Sequence, residues 1–192
     1  KKAYYKEAIK YCEKAMSIND SFAIEINKGT DITVAVKKLS INEVDAMGYW
    51  YTARFYYFKE CLKPLGRVMN TKIVIENNAM IGRIDELNPD WSGGANYFSR
   101  ALYYIAVPEK FGGSKELAAE EFSKAIDLAP EYLFSRWGRA KYLYDLTGNT
   151  EGFKSDLEWV IAQNPSSSGK TFPWNFYMQE DAKKMLANSV EQ

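Results

Sequence analysis

Residues 114–130, SKELAAEEFSKAIDLAP, place a small residue, an aromatic, a second small residue and a proline at fixed spacing: Ala118, Phe122, Ala125 and Pro130. At helical periodicity the two alanines lie near one stripe, where they let a neighbouring backbone approach, and the phenyl ring fills the space between them. Pro130 has no N–H to continue the hydrogen-bond ladder and closes the helix. The spacing recurs. Ala8, Cys12, Ala15 and Asp20 repeat it at the N-terminus, with Asp20 as the expected helix stop. Ile81, Ile84 and Pro89 repeat it in mid-chain, and Phe153, Leu157, Val160 and Pro165 give a degraded copy.

This is the second-helix signature of the tetratricopeptide repeat, a helix pair with a period of about 34 residues. Pro130 and Pro165 are 35 positions apart, and Pro89 and Pro130 are 41 apart. Tyr97, Ala101 and Tyr104 take the large, small and aromatic positions of the intervening first helix. The surplus of the longer interval then falls into the turn VPEKFGG, with the rest before the helix. The predicted fold is all-α, a tetratricopeptide-like α-solenoid of antiparallel helix pairs with extra flanking helices, in a single domain over 1–192.

Helices are expected at 2–18, 40–62, 67–88, 94–106, 114–128, 132–146, 150–163 and about 174–188. Ser40-x-x-Glu43 is a capping-box pattern, Gly148 and Asn164-Pro165 are stops, and Pro173 sits just inside the last helix. The β-branched stretches DITVAVKKL (31–39) and TKIVIEN (71–77) are read as helical, because no hairpin turn joins them.

Composition removes several function classes. The chain has 192 residues with 25 basic against 25 acidic side chains, so nucleic acid is not an expected partner. There is no His, which removes imidazole base catalysis and the usual zinc sites. Cys12 and Cys61 lack CxxC spacing, so no metal or cofactor is expected, and whether they pair is open. No apolar run approaches the roughly 20 residues of a membrane span. A chain opening on Lys1 rather than Met is expected to be a processed or trimmed product.

In repeats of this type the first helix of each pair lines the concave side. Counting along these helices gives Trp50, Arg54 and Tyr57, then Phe98, Leu102 and Ile105, then Phe134, Trp137 and Tyr144 as groove residues. The groove is apolar and aromatic, and Arg100, Arg136 and Arg139 fall mostly outside its aligned positions. Two readings stay open: the C-terminal helix or a neighbouring subunit covers it, or it holds a hydrophobic or aromatic small molecule. GYWYTARFYYF (48–58), aromatic all round its helix, points to burial on more than one side.

Residues 83–134 carry a family resemblance. Pro89, Gly93-Gly94, Pro108, Gly112-Gly113-Ser114, Ala118, Phe122 and Ala125 form an ordered set, preceded by NEVDAMGYWYTARF (42–55) and followed by RAKYLYDLTGNTEGFKSDLEWVIAQNP and PWNFYMQEDAKKML. In this the chain resembles the T-component proteins of tripartite ATP-independent periplasmic (TRAP) transporters. The resemblance implies a helical protein with cryptic tetratricopeptide repeats, periplasmic and often lipid-anchored. It also implies a partner, the transporter's substrate-binding component, and a hydrophobic ligand handed between the two. Cys12, inside a helix, does not supply a lipid-attachment motif. The alternative is a generic repeat scaffold for protein interaction, unrelated to transport. Self-association is a further expectation.

Three decoys are set aside. SSSGKT (166–171) ends like a phosphate-binding loop, but Asn164 stands where that motif needs Gly, and it reads as a flexible loop. Cys12 reads as a buried thiol, and Glu120-Glu121 and Asp85-Glu86 as solvated surface rather than paired acids. No catalytic constellation is found, so the protein is expected not to be an enzyme. Gly112-Gly113 precedes a helix, where phosphates bind. However, Ser114 is the expected N-cap and Glu116 already places an acid at the positive helix end, which argues against an anion site.

Overall fold

The structure, a computed structural model, describes residues 1–166 and 172–190. It is all-helical, with no strand among the described residues. The helices gather into two compact units, Lys1–Trp91 and Ser92–Gln192.

In the first unit, α1 (Lys2–Met16) is followed by α2 (Asp20–Asn27) and α3 (Ile32–Ala35), which tightens into a 3-10 turn at Val36–Lys38. A second 3-10 turn, Ile41–Glu43, leads into α4 (Val44–Tyr56). Then come a π-helical turn (Tyr57–Cys61), α5 (Pro64–Met69) and α6 (Lys72–Leu87). Helix α4 is the hub and packs on both α1 and α6. Its Met47, Trp50 and Tyr51 meet Met16, Phe22, Leu39, Met80 and Ile84 in one core. Full burial stabilises by about 1.5–3 kcal/mol for each large apolar side chain.

The entry to α4 is capped as predicted. The Glu43 carboxylate accepts from Ser40 N at 2.8 Å, and Ser40 Oγ accepts from Asn42 N at 3.3 Å. Arg83 of α6 donates twice to the Leu39 carbonyl, at 3.1 and 2.7 Å, tying the preceding loop to the core. Gly48 lies flat under Trp91: a Cβ there would fall 2.1 Å from the indole ring.

Three expectations change in this unit. Asp20 does not stop α1, which ends at Met16; it opens α2, whose cap is Asn19, accepting from Phe22 N at 3.1 Å. The buried stripe of α1 is Tyr5, Ile9, Cys12 and Met16, so Ala8 and Ala15 face solvent. The helix expected at 67–88 is broken, because the Asn70 side chain donates to the Gly66 carbonyl at 2.8 Å and ends α5 before α6 begins. Both β-branched stretches are helical, as expected. Of the aromatics in 48–58, Trp50 and Tyr51 are buried and the others half-buried, but Tyr49 is exposed.

The second unit runs α7 (Ala95–Ala106), a 3-10 turn (Glu109–Phe111), α8 (Lys115–Leu128), α9 (Leu133–Gly138), a π-helical turn (Arg139–Tyr144), α10 (Asp145–Thr147), α11 (Thr150–Ala162) and α12 (Phe172–Val190). Helix α7 packs along α8, and α11 packs against α9 and α12. Ala118, Phe122 and Ala125 are fully buried, as are Leu157 and Val160. Gly148 takes φ +70° as the left-handed stop.

The GG turn is closed by the chain itself. Gly112 has φ +97°, and a Cβ on Gly113 would fall 1.7 Å from the Val107 carbonyl oxygen. Ser114 N donates to the Tyr104 carbonyl at 3.2 Å, and Ser114 Oγ accepts from Leu117 N at 3.1 Å as the predicted cap. Glu116 accepts from Ser114 Oγ at 2.8 Å, so the helix's positive end has its acid in place. Residues 167–171 of the loop-like SSSGKT lie outside the described residues.

Candidate functional site

The predicted groove residues on α4 form one polar-aromatic cluster inside the first unit. Trp50 is fully buried, and its Nε1 donates to Glu13 Oε1 of α1 at 3.1 Å. One turn on, the Arg54 guanidinium lies 4.0 Å from the Trp50 ring centroid and pairs with Glu76 of α6. Glu76 also meets Lys72, at 3.5 Å, and Lys72 reaches Asp31 at 3.0 Å. Burial pulls the Arg54 pKa down, against the pull of Glu76. A guanidinium stays charged through such a shift. Tyr57, half-buried, is the first residue of the π-helical turn, with Lys2 Nζ 6.0 Å from its ring.

In the second unit Phe98 meets Phe122 and Phe134 edge-to-face, with centroids 5.7 and 5.2 Å apart. The ring also lies against Gly138, where an added Cβ would come within 2.1 Å of it. Leu102 is buried beside the buried Ala101, and Ile105 is half-buried.

Trp137 is covered by the last helix. Its Nε1 donates to Asp181 Oδ2 at 2.9 Å, and Tyr177 approaches edge-on at 6.3 Å. Lys141 donates to the same carboxylate at 2.6 Å while lying over the Trp137 ring at 4.7 Å. Tyr144 ends the second π-helical turn, with Arg139 5.2 Å from its ring. Of the nine predicted residues, Trp50 and Arg54 therefore meet each other, as do Phe98 and Phe134. Trp137 turns to α12 and Tyr144 to Arg139. None of the nine is exposed. An open cavity of about 360 Å³ in this unit is lined by Lys141, Tyr142, Phe153 and Met185, and by none of the nine.

The acids that hold these helices were not among the predicted residues. Glu121 is buried, not solvated: it pairs with Arg100 at 3.1 Å and with Lys124 at 2.7 Å. Asp156, only 2% exposed, accepts from Arg139 at 2.7 and 2.9 Å and from Arg136 at 3.2 Å. Burial opposes the Arg139 charge, but Asp156 more than offsets it and leaves the pKa raised. Each acid stands one residue before the central apolar residue of the signature, Phe122 or Leu157. Each arginine stands one residue before a small first-helix residue, Ala101 or Ala140. That shared register was readable in the sequence.

Chemically, the arrangement offers aromatic faces and fixed guanidinium–carboxylate pairs. Among the described residues no group of His, Cys, Asp or Glu is placed to hold a metal ion, and no helix is long and apolar enough to cross a membrane. Both cysteines are free, and burial pushes the half-buried Cys12 thiol up from its ordinary pKa.

Comparison with known proteins agrees with the resemblance drawn from the motifs. No curated protein matches the chain. The family model of the TRAP transporter T-component matches residues 1–191, which is essentially the whole chain, and the protein belongs to that family.

Proposed function

We propose that the protein is a non-catalytic, tetratricopeptide-like accessory of a TRAP transporter that binds the transporter's substrate-binding component. Its family membership over 1–191 carries this reading. The buried Ala118–Phe122–Ala125 signature on the α7–α8 pair supports the repeat architecture. Trp174, Phe176 and Tyr177 stand exposed on α12 and supply the aromatic anchors that dominate protein interfaces. A periplasmic, lipid-anchored location follows from the same family reading. Within the second unit, the aromatic positions Phe98 and Phe134 are the place for a hydrophobic ligand. Each is half-buried, so a modest shift of a neighbouring side chain opens it.

The test is titration of the purified chain with a TRAP substrate-binding component from the same source, read by calorimetry, together with native mass spectrometry of the chain alone. A saturable 1:1 heat that Trp174→Ala weakens at least tenfold supports the reading. No heat with that component, or catalytic turnover by the chain, overturns it. Retained apolar mass in the native spectrum supports the ligand, and the same spectrum reports self-association.

A further inference from the structure

We propose that α5 and the start of α6 form a docking tip for an anionic phospholipid surface. Leu65, Val68 and Met69 lie at i, i+3 and i+4 of α5 and so share one face. They are 72, 70 and 77% exposed, and Ile75 of α6 is 58% exposed. Soluble proteins commonly expose single apolar side chains, but three on one short helix make a patch that calls for a partner. The helix is held firmly from below. Pro64 sets its first turn, and Arg67 donates to the Leu62 carbonyl at 3.1 Å and to the Lys59 carbonyl.

Charge identifies the partner. Residues 59–71 carry Lys59, Lys63 and Arg67 against one acid, Glu60, whereas Lys72 is already paired with Asp31 and Glu76. Glu60 is engaged by Lys1 at 3.2 Å and by Tyr5 at 3.0 Å. Arg67 is held by carbonyl oxygens, which leave its charge in place. Apolar side chains ringed by Lys and Arg are the pattern that seats in the headgroup region of an anionic bilayer, with the apolar part at the acyl boundary. Basic groups beside the tip then lie within the roughly 8 Å Debye length of the lipid phosphates. A protein partner fits less well, because interface hot spots favour Trp, Tyr and Arg and under-use Leu and Val. The tip has no aromatic, in contrast to α12.

The experiment is flotation of the full chain with vesicles of phosphatidylcholine alone or with 30% phosphatidylglycerol, at low and high salt. The expected result is at least tenfold more binding to the anionic vesicles, weakening as salt rises. Leu65→Ser/Val68→Ser/Met69→Ser should abolish it, with an unchanged melting temperature, because these side chains are already in water. Lys63→Glu, which reverses a charge, should weaken binding by more than the about fivefold expected for losing one basic residue.

Equal binding to both vesicle types, no binding to either, or a triple variant that binds like the parent overturns the proposal. So does loss of the substrate-binding component's heat in the triple variant when the parent chain itself binds no vesicles, which would make the tip a protein dock. Failure here leaves the α12 reading standing, since Trp174→Ala is scored on the protein partner alone.

Discussion

In α8 the signature residues Ala118, Phe122 and Ala125 are wholly buried, whereas in α1 the matching Ala8 and Ala15 face solvent and Cys12 is only half-buried. The two helices share a spacing but not a setting. Helix α8 has α7 along one side, with α9 and its π-helical turn also against it. Helix α1 packs on α4 through Tyr5, Ile9, Cys12 and Met16 and turns the remaining face outward. That outward face presents Tyr4, Ala8, Tyr11 and Ala15, an apolar stripe at i, i+4, i+7 and i+11. The signature therefore encodes a helix face able to accept a neighbour. Whether that face is closed depends on which helices the rest of the chain brings to it.

The sharpest way to break this comparison is to remove the central residue of each copy. Phe122→Ala should cost about 3–5 kcal/mol by leaving a cavity in a fully buried site. Cys12→Ala, at a half-buried site, should cost about 1 kcal/mol or less. Denaturant unfolding measures both, and equal losses would contradict the contrast. Truncating Asp156→Ala leaves two arginines without their buried carboxylate and should cost about 3 kcal/mol. A cycle with Arg139→Ala should show strong coupling between the two positions.

Overpacking gives the next effect. Ala125→Phe should lower stability by roughly 1–3 kcal/mol, as expected for crowding a filled core. Ala15→Phe on the open copy should change it by no more than about 0.5 kcal/mol. Matching melting temperatures for the two variants would dissolve the distinction.

The smallest effect lies at Asp31, the cap of α3. A hydrogen bond from the Thr33 backbone N–H, aided by Lys72 and the Thr33 hydroxyl, pulls its carboxyl down to about 2. The unfolded value is about 3.9. The folded pKa is the lower one, so the fold favours the ionised form. That contribution is complete above about pH 4 and is lost as pH falls through about 2. The melting temperatures of the parent and Asp31→Asn should therefore converge between pH 4 and pH 2, and a constant gap would argue against the assignment.

Much of the helical order was legible because its signals are local. The Ser40–Glu43 box, the Ser114 cap, the Gly148 stop and the α8 signature each act within a turn or two of chain. What was misread depends on partners distant in sequence. A stripe of small residues in α1 predicts a packed face, but two apolar stripes were available and only the structure selects the one holding Ile9 and Met16. The groove count named residues that the structure places in buried or half-buried positions of both units. It included Arg54 but passed over Arg100 and Arg139, because each looks like surface until its acid on the next helix is known. Reading Arg100 with Glu121, and Arg139 with Asp156, in repeat register would have recovered both pairs.

The π-helical turn at Arg139–Tyr144 has a consequence for length. Each i→i+5 turn takes up one residue more than the α-helix it interrupts. On the repeat reading, the interval from Pro130 to Pro165 is one longer than the 34-residue ideal, and the surplus sits inside a helix instead of lengthening a loop. An insertion stored this way leaves both ends of the unit where they were. It rotates every side chain beyond Tyr144 by about 100° around the helix axis relative to an uninterrupted one. Deleting a single residue between Arg139 and Tyr144 should thus convert the turn to regular α-helix while Leu146 and Thr147 keep the sides they now occupy, so the same residues meet across the unit.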